Sequence, residues 1–405
     1  MSSSPDLQHL LTPAVKRIMD VIRAGGGEAR VVGGAVRDAL LGRLINDIDL
    51  AATLPPEDTA MLMKKAGIKT VPTGIDHGTI TIVIDSKGYE VTTLRHDIET
   101  DGRRAKVAYT DDWQADAARR DFTINALYAD ASGVIYDYYN GRDDLAAHRI
   151  RFIGKAEDRI REDVLRILRF FRFNAHFGEG EFDKQGIAAC RELAHLVPQL
   201  SVERVWNEIA KLLKAENPLP SWQKMVEGGV LAKILPDAID LKRLAALLAV
   251  EKQHEKPISA LRRLAALLPQ DELKATAVTL KLKMARRDGL HLQRLATLPS
   301  LLAGKLDPIP FRHALYEFGV EDASDAALLA AALHPELDIE PALAAASEWE
   351  NPVFPLQGED LLKLGMKPGP AMGALLKTLE ERWMASDFKA PRETCLGWAK
   401  AEIAK

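Results

Sequence analysis

The chain has 405 residues, 47% hydrophobic and 28% charged, enough for about two to four soluble domains. Its formal net charge of −4 speaks against a general nucleic-acid binder. No apolar run approaches the ~18 residues of a membrane span (residues 244–250 are typical of the longest), and Met1–Asp6 is polar, without a hydrophobic signal segment.

Along the first 150 residues β-like and helical patterns alternate. Residues 29–32 form a short β-like run, interrupted by Arg30 and ended by Gly33-Gly34. Residues 35–41 start a helix, and residues 48–51 are again β-like. Pro55-Pro56 interrupts, and residues 57–66 read as a helix. Residues 79–84 and 89–94 read as strands joined by a turn around Ser86-Lys87-Gly88. Residues 96–110 are polar, contain Gly102 and lack periodicity, so they read as a mobile loop. An α+β domain with a small mixed sheet follows from this order. After Ile153 the strand signals fade and helical periodicity runs on to the C-terminus, broken by prolines that include Pro198, Pro236 and Pro269. The alanine-rich stretch 326–332 reads as an ordinary helix. Cys190 and Cys395 stand far apart without metal spacing, which argues against a disulfide framework or zinc site and fits a reducing cytoplasm. Residues 241–300 carry twelve Lys and Arg against five acids. Such a basic middle reads either as a track for phosphates or as a solvated helical face.

Val31-Val32-Gly33-Gly34-Ala35-Val36-Arg37-Asp38 is a strand, a double glycine and a helix start. The glycines admit a ligand close to the backbone, and the helix offers free N–H groups to phosphate. Arg37 adds a charged fork. Ten residues on, Asp47-Ile48-Asp49 enters a β-like run, which aims two carboxylates at one face. Adjacent like charges favour a cation between them, and hard oxygen ligands suit Mg²⁺ held together with substrate phosphates. A lone Asp-x-Asp also reads as a solvated strand end. Glu90 is a candidate third carboxylate, although on its own it reads as a surface strand residue.

Arg119-Arg120-Asp121-Phe122-Thr123-Ile124-Asn125 sets two cations, an acid and an amide around an apolar anchor. Asp121 can accept from ribose hydroxyls and Arg120 can grip phosphate; an ordinary helix end with a local ion pair is the plainer reading. Residues 162–173 form an amphipathic helix with Val164, Ile167, Leu168 and Phe171 on one face. Asp163, Arg166, Arg169 and Arg172 step by three along the other side. Cytosine and adenine both present a ring-nitrogen acceptor beside an amino donor, and uracil and guanine present the reverse. An arginine that donates beside an aspartate that accepts would admit C and A and reject U and G. A surface helix with local ion pairs is the alternative.

In order and spacing, residues 31–38, 47–53, 74–82, 89–95, 119–127, 137–145 and 162–173 resemble the class II tRNA nucleotidyltransferase and poly(A) polymerase family. The likeness is dense over residues 25–180 and thins to residues 202–204, 228–236 and 358–376. It implies a nucleotidyltransferase that adds C, C and A to a tRNA 3′ end from CTP and ATP, with Mg²⁺, in the cytoplasm. It implies a catalytic head (1–152), a neck that recognises the base (153–216), a helical body (217–340) and an RNA-binding tail (341–405), which hold the acceptor end and elbow of tRNA. Asp47 and Asp49 would bind metal with Glu90 supporting. Gly33, Gly34 and Arg37 would hold the triphosphate, and Arg120, Asp121 and Asn125 ribose and phosphate. Asp163 and Arg166 would read the base, with Arg169 and Arg172 contacting the nucleotide. Residues 96–110 would be the loop linked to the switch from C to A addition. The Lys-Asp-Phe-Asp lead of the poly(A) polymerases is absent, and so is a phosphohydrolase His…His-Asp pattern in the C-terminal half. Poly(A) addition and partial CC or A addition are the alternatives within the family. Outside it stand a non-catalytic RNA binder and a small-molecule nucleotidyltransferase. The tail segment Gly358–Gly369 reads equally as an RNA-backbone grip or as packing.

Overall fold

A computed structural model describes residues 7, 9–75, 78–101, 104–235 and 239–404, and the chain forms two compact units, Met1–Pro236 and Asp237–Lys405.

The first unit opens with α1 (Pro13–Ala24), which Thr12 caps by accepting from the Val15 N–H; it buries Val15, Ile18, Met19 and Ile22 in one stripe. Then come β1 (Ala29–Val32), α2 (Gly34–Leu40), β2 (Leu50–Ala52), α3 (Pro56–Lys65), β3 (Lys69–Gly74), β4 (Thr79–Ile84) and β5 (Lys87–Thr93). A separate pair, β6 (Arg95–Asp101) and β7 (Arg104–Tyr109), precedes α4 (Trp113–Ala118), a 3₁₀ turn (Thr123–Asn125), β8 (Leu127–Ala129) and β9 (Ile135–Asp137). Seven strands form one sheet in the order β3-β4-β5-β2-β1-β8-β9. Strand β2 pairs with β5 in parallel, and the other neighbours among the described strands are antiparallel. The central strands β1, β2 and β8 are buried throughout, which accounts for their apolar runs.

Strand β2 starts two residues later than the β-like run at 48, so Asp47 and Asp49 lie on the segment that leads into it. Alternation still holds there, since Ile48 is buried and both carboxylates are exposed. The β4–β5 turn sits at Asp85-Ser86, both left-handed (φ 50° and 63°), and Ile84 pairs with Lys87 to close a two-residue loop. Residues 96–110, read as a mobile loop, are mostly the β6–β7 hairpin, with Arg95 opposite Tyr109 and a shift of register between Asp97 and Glu99. Gly102 and Arg103 of that stretch, and Asp76 and His77 of the 74–82 segment, lie outside the described residues.

Helices complete the unit: α5 (Gly141–Ala146), α6 (Ala156–Glu162), α7 (Arg166–Phe177), α8 (Lys184–Glu192), a 3₁₀ segment (Ala194–Gln199), α9 (Val202–Leu213), α10 (Leu219–Glu227) and α11 (Val230–Ile234). The single helix expected over 162–173 is two. Asp163 is extended (φ −148°, ψ 104°) at the end of α6, and its carboxylate accepts from the Leu165 N–H at 3.1 Å to begin α7. An aspartate gains more from such local capping than from the middle of a helix. The α7 face packs Phe170 against Phe152 and Phe122 (centroids 5.4 and 6.3 Å), which fastens it to the sheet domain. Helix α10 packs on α7, and α11 on the Ala194–Gln199 segment.

The second unit is all helix: α12 (Leu241–Gln253), α13 (Ala260–Leu267), α14 (Glu272–Lys281), α15 (Arg286–Leu302), α16 (Pro308–Phe318), α17 (Val320–Leu333), α18 (Glu340–Ser347), α19 (Gly358–Lys363), α20 (Pro370–Ala385) and α21 (Arg392–Ile403). Asp240, Ser259 and Asp271 cap α12, α13 and α14. Alanine-rich α17 is buried from Ala326 to Ala332 and packs against α12, α15 and α16. The basic middle is only partly a surface. Arg243 donates to the Ala265 and Ala266 carbonyls. Arg262 bridges Glu251 and Asp325, and Arg263 pairs with Glu251 at 2.8 Å. These three arginines tie helices together inside the unit. The N-terminus of α19 is occupied by its own side chains: Gln357 and Asp360 form a capping box, and Asp360 also pairs with Arg392. That geometry is the packing reading of the tail segment. Among the described residues no helix is long and apolar enough to cross a membrane.

Candidate active site

A cleft of about 700 Å³ opens in the first unit between the β1–α2 turn, the edge of β2 and β5, the Arg119–Asn125 segment and the start of α7. Gly33, Gly34, Arg37, Asp49, Glu90, Arg120, Asp121, Asn125, Asp163, Arg166 and Arg169 line it. Asp47 lies beside it and Arg172 outside it. Eleven residues that the sequence scatters over more than 130 positions thus share one cavity.

Gly33 makes the turn. Its φ of 73° is left-handed, a conformation that favours glycine, and its N–H donates to Leu127 O at 3.0 Å. At Gly34 a side chain would begin 3.4 Å from Arg37 Nη2, so the small residue leaves Arg37 its place. Arg37 is buried on α2, donates to Asn125 Oδ1 at 2.7 Å and forms a fork with Asp38. Asn125 donates to Asp121 Oδ1 at 3.1 Å, and Asp121 Oδ2 accepts from Arg169 Nη2 at 2.5 Å and Nε at 2.8 Å. Burial alone would push the Asp121 carboxyl up, but Arg169, Asn125 and the Phe122 N–H outweigh it and hold it below the ordinary carboxylate range. The chain of contacts goes on to the neck, where Glu208 of α9 stands 3.9 Å from Arg169 and accepts from Arg172 Nε at 2.5 Å. Arg172 is therefore spent on Glu208 and does not reach the cleft.

The parallel pairing of Leu50 with Val91 sets Asp49, just ahead of β2, beside Glu90 of β5, and both are exposed. Desolvation first, then the charges of Glu90 and Asp47, hold the Asp49 carboxyl above its usual range, with Arg120 opposing. Like charges gathered in this way are what a divalent cation relieves, and carboxylate oxygens are the donors that Mg²⁺ takes. Among the described residues no three His, Cys, Asp or Glu side chains are arranged to hold an ion by themselves. Asp49 and Glu90, with Asp47 near them, supply carboxylate oxygens of the kind a divalent cation takes.

Asp163 and Arg166 both line the cleft; the Arg166 N–H donates to Asp163 O at 2.9 Å, and their side chains take different partners. Asp163 Oδ2 accepts from Arg204 Nη2 at 2.7 Å. Arg166 Nη1 donates to Glu162 Oε2 at 2.7 Å and Arg159 O at 2.9 Å, and its Nη2 to Arg119 O at 3.0 Å. Each is fixed separately, one as acceptor and one as donor. The supporting residues Arg204, Glu208, Asp116 and Tyr128 were not read as functional in the sequence. Asp116 carried a signal, standing three and four positions before Arg119 and Arg120 at helical spacing. Arg204 and Glu208 stand 41 and 36 positions from their partners; Arg204 falls in the 202–204 stretch of the family likeness, and Glu208 carried no signal.

Residues 29–151 match the model of the poly A polymerase head domain, and residues 181–241 that of the probable RNA and SrmB-binding site of polymerase A. The mitochondrial CCA tRNA nucleotidyltransferase 1 of Mus musculus is 34% identical over 98% of this chain and 92% of its own length. The CCA-adding enzyme of Streptococcus sanguinis is 33% identical over 90% of each. Among solved structures, the Bacillus stearothermophilus CCA-adding enzyme in complex with CTP superposes with a TM-score of 0.76 at 25% identity, covering 99% of this chain and 98% of that one.

Proposed function

The chain belongs to the class II CCA-adding enzymes, which share the poly(A) polymerase head, and we propose that it adds C, C and A to the 3′ end of tRNA from CTP and ATP, without a nucleic-acid template, releasing pyrophosphate. The observation that carries this reading is the cleft, where the glycine turn, the Asp49–Glu90 pair and the separately fixed Asp163 and Arg166 face one space.

Gly33, Gly34 and Arg37 hold the triphosphate, through the N–H groups of the turn and a charged fork. Arg120, Asp121 and Asn125 hold phosphate and ribose. Asp163 accepts from the exocyclic amino group of C or A and Arg166 donates to the ring nitrogen beside it, so that neither U nor G finds its partners. Arg169 keeps Asp121 ionised and fixed, and Arg172 steadies the neck through Glu208. Asp47 and Asp49, with Glu90 in support, would hold Mg²⁺, which when bound supplies charge neutralisation at the triphosphate and a more acidic 3′ hydroxyl. The primer hydroxyl attacks the α-phosphate, and positioning supplies most of the rate. The head (1–152) carries the chemistry, the neck (153–216) the base reading, and the body (217–340) and tail (341–405) the tRNA acceptor end and elbow. We place the reaction in the cytoplasm, whose reducing conditions suit the two buried free cysteines.

The test is extension of a tRNA transcript lacking CCA, with Mg²⁺ and labelled CTP or ATP, singly and together, followed by sequencing. Products that end in CCA and stop support the proposal. A long A tract, or CC or A alone, replaces it with a poly(A) or partial enzyme. Asp47→Ala and Asp49→Ala are expected to abolish incorporation in folded protein; activity retained in both overturns the metal assignment.

A further inference from the structure

Two stretches of the family likeness, residues 74–82 and 89–95, contribute only Glu90 to the roles assigned above, although they meet beside the acids. Strands β4 and β5 pair with Thr79 opposite Thr92 and Thr81 opposite Glu90, and residues directly opposite in an antiparallel pair share a face. Ile80 and Ile82 alternate with the two β4 threonines and are buried on the other side of the sheet, as are Tyr89 and Val91 of β5. The face that carries the acids therefore continues away from them as hydroxyls. Thr79 and Thr92 are half-buried, their hydroxyl oxygens lie 2.9 Å apart, and both line the cleft. Farther out, Thr73 of β3 bonds Thr81 in the same way at 2.7 Å, but that pair does not line the cleft.

A cross-strand threonine pair adds a little to sheet stability wherever it stands; what distinguishes the inner pair is its position. The sheet order β3-β4-β5-β2-β1 sets the Gly33-Gly34 turn, at the end of β1, on one side of Asp49 and Glu90, and the threonines on the other. In phosphoryl transfer the attacking and leaving oxygens stand roughly in line. With the triphosphate held at the glycine turn, pyrophosphate leaves on that side. The primer's 3′ hydroxyl then comes in from the opposite side, over β5 and β4.

Thr92 stands two residues beyond Glu90 along β5, roughly 7 Å away on the same face. A terminal ribose whose 3′ oxygen lies at the acids carries its 2′ oxygen on the adjacent carbon, within that interval. A hydroxyl is one donor and two acceptors. The threonine pair spends one hydrogen on its own bond, which leaves one O–H to give and lone pairs to receive. That is the complement of another hydroxyl, whereas a phosphate oxygen would use only the donor half.

We propose that the Thr79–Thr92 hydroxyl pair is the seat of the 2′ hydroxyl of the primer's terminal ribose, so that an RNA end is told from a DNA end at this point. This rests on the nucleotidyltransferase reading above.

The experiment uses the full chain and two forms of the tRNA transcript lacking CCA, one with an ordinary 3′-terminal ribose and one whose last nucleotide lacks the 2′ hydroxyl. Single CTP addition gives kcat/KM for each, in the parent and in Thr79→Val, Thr92→Val and Thr73→Val, with equilibrium CTP binding and the melting midpoint measured alongside. The parent is expected to prefer the ribose end. Thr79→Val and Thr92→Val are expected to lower kcat/KM on that end by about three- to tenfold, the scale of one hydrogen bond, and to affect the deoxy transcript little. The preference for ribose thus falls by the same factor, with CTP binding and the midpoint close to the parent's. Loss of the 2′ hydroxyl also alters the acidity of its neighbour, but equally in parent and variant, so the change in preference reports the contact. Thr73→Val removes the same chemistry from the outer pair and is expected to leave the preference as it was. A parent that treats both ends alike, a preference unchanged in Thr79→Val and Thr92→Val, or one lowered as much by Thr73→Val overturns the inference. A parent that extends neither transcript refutes the function instead, and equilibrium binding of the two transcripts to parent and Thr92→Val then decides on the threonine pair alone.

Discussion

Gly141 opens α5 where that helix meets the Thr123–Asn125 turn, and a methyl group there has nowhere to go. A Cβ built on it would lie 2.2 Å from the Thr123 carbonyl oxygen and 2.8 Å from its carbon, more than an ångström inside ordinary contact with backbone atoms. Neither side can retreat cheaply. The Gly141 N–H is held by Asp137 Oδ1 at 2.8 Å. The Thr123 hydroxyl donates to buried Asp144 Oδ2 at 2.6 Å, and its N–H donates to Arg151 O at 3.1 Å. Overpacking costs about 1–3 kcal/mol, and the upper end applies where backbone must move. Taking ~3 kcal/mol, the first unit's melting midpoint should fall by roughly 6–12 °C in Gly141→Ala. The displaced turn carries Asn125, the link between Arg37 and Asp121, so kcat/KM for CTP should fall by about 10- to 100-fold as a sub-ångström to ångström misplacement does. The control is Gly373→Ala on the exposed face of α20, with nothing within 4 Å of the new methyl, which should gain up to ~1 kcal/mol. Differential scanning calorimetry and single-nucleotide incorporation read both. A Gly141→Ala protein as stable and as active as its parent would refute the packing described here.

Two further outcomes are expected. Arg204→Ala removes the cation that fixes Asp163; the lost charge-assisted bond, partly open to water, is worth about 1–1.5 kcal/mol, so kcat/KM for CTP should fall by roughly tenfold and UTP incorporation should rise, while unchanged discrimination would show that Asp163 needs no such support. In the second unit burial alone would lower the pKa of His291, but its bonds to Asp325 and Asp322 outweigh it and raise it. Its folded value thus stands above the unfolded one, near 6.5, so its stabilising contribution is full below that pH and declines as pH rises through the folded value, by up to ~1.4 kcal/mol per pH unit. Hydrogen exchange of α15 and α17 should accelerate over that interval in the parent and less in His291→Gln; equal pH profiles would count against the assignment.

The glycine turn and the Asp47/Asp49 alternation were legible in sequence because their geometry is local: a left-handed φ asks for glycine, and a period of two puts both acids on one side. Asp163 and Arg166 were legible as residue types and misread as structure. Helical periodicity continues unbroken through 162–173, and the break comes from a competition between capping and helix at one aspartate that periodicity does not register. The β6–β7 strands escaped because they form a two-stranded pair apart from the main sheet, and their residues show no apolar alternation in the sequence. In the second unit, a run of arginines reads alike whether it meets solvent or acids. Arg262 finds Asp325 from 63 positions away, a pairing that no window of sequence contains.

The charge of the cleft explains why a protein of net charge −4 can handle a polyanionic nucleotide. Arg37 is matched by Asp38, Arg119 and Arg120 by Asp116, Arg166 by Glu162 and Arg169 by Asp121. These five cations lining the cleft each have a carboxylate beside them, Arg119 and Arg120 sharing one, which weakens the open positive field that draws any nucleic acid. What remains is direction: guanidinium forks held at fixed angles beside a carboxylate held as acceptor. Such a site gains little from charge alone and much from a ligand whose donors and acceptors match its own, because a mismatched base leaves desolvated groups unpaired. Selectivity of that kind weakens when the fixing carboxylates are removed, even though the arginines that line the cleft are all still present.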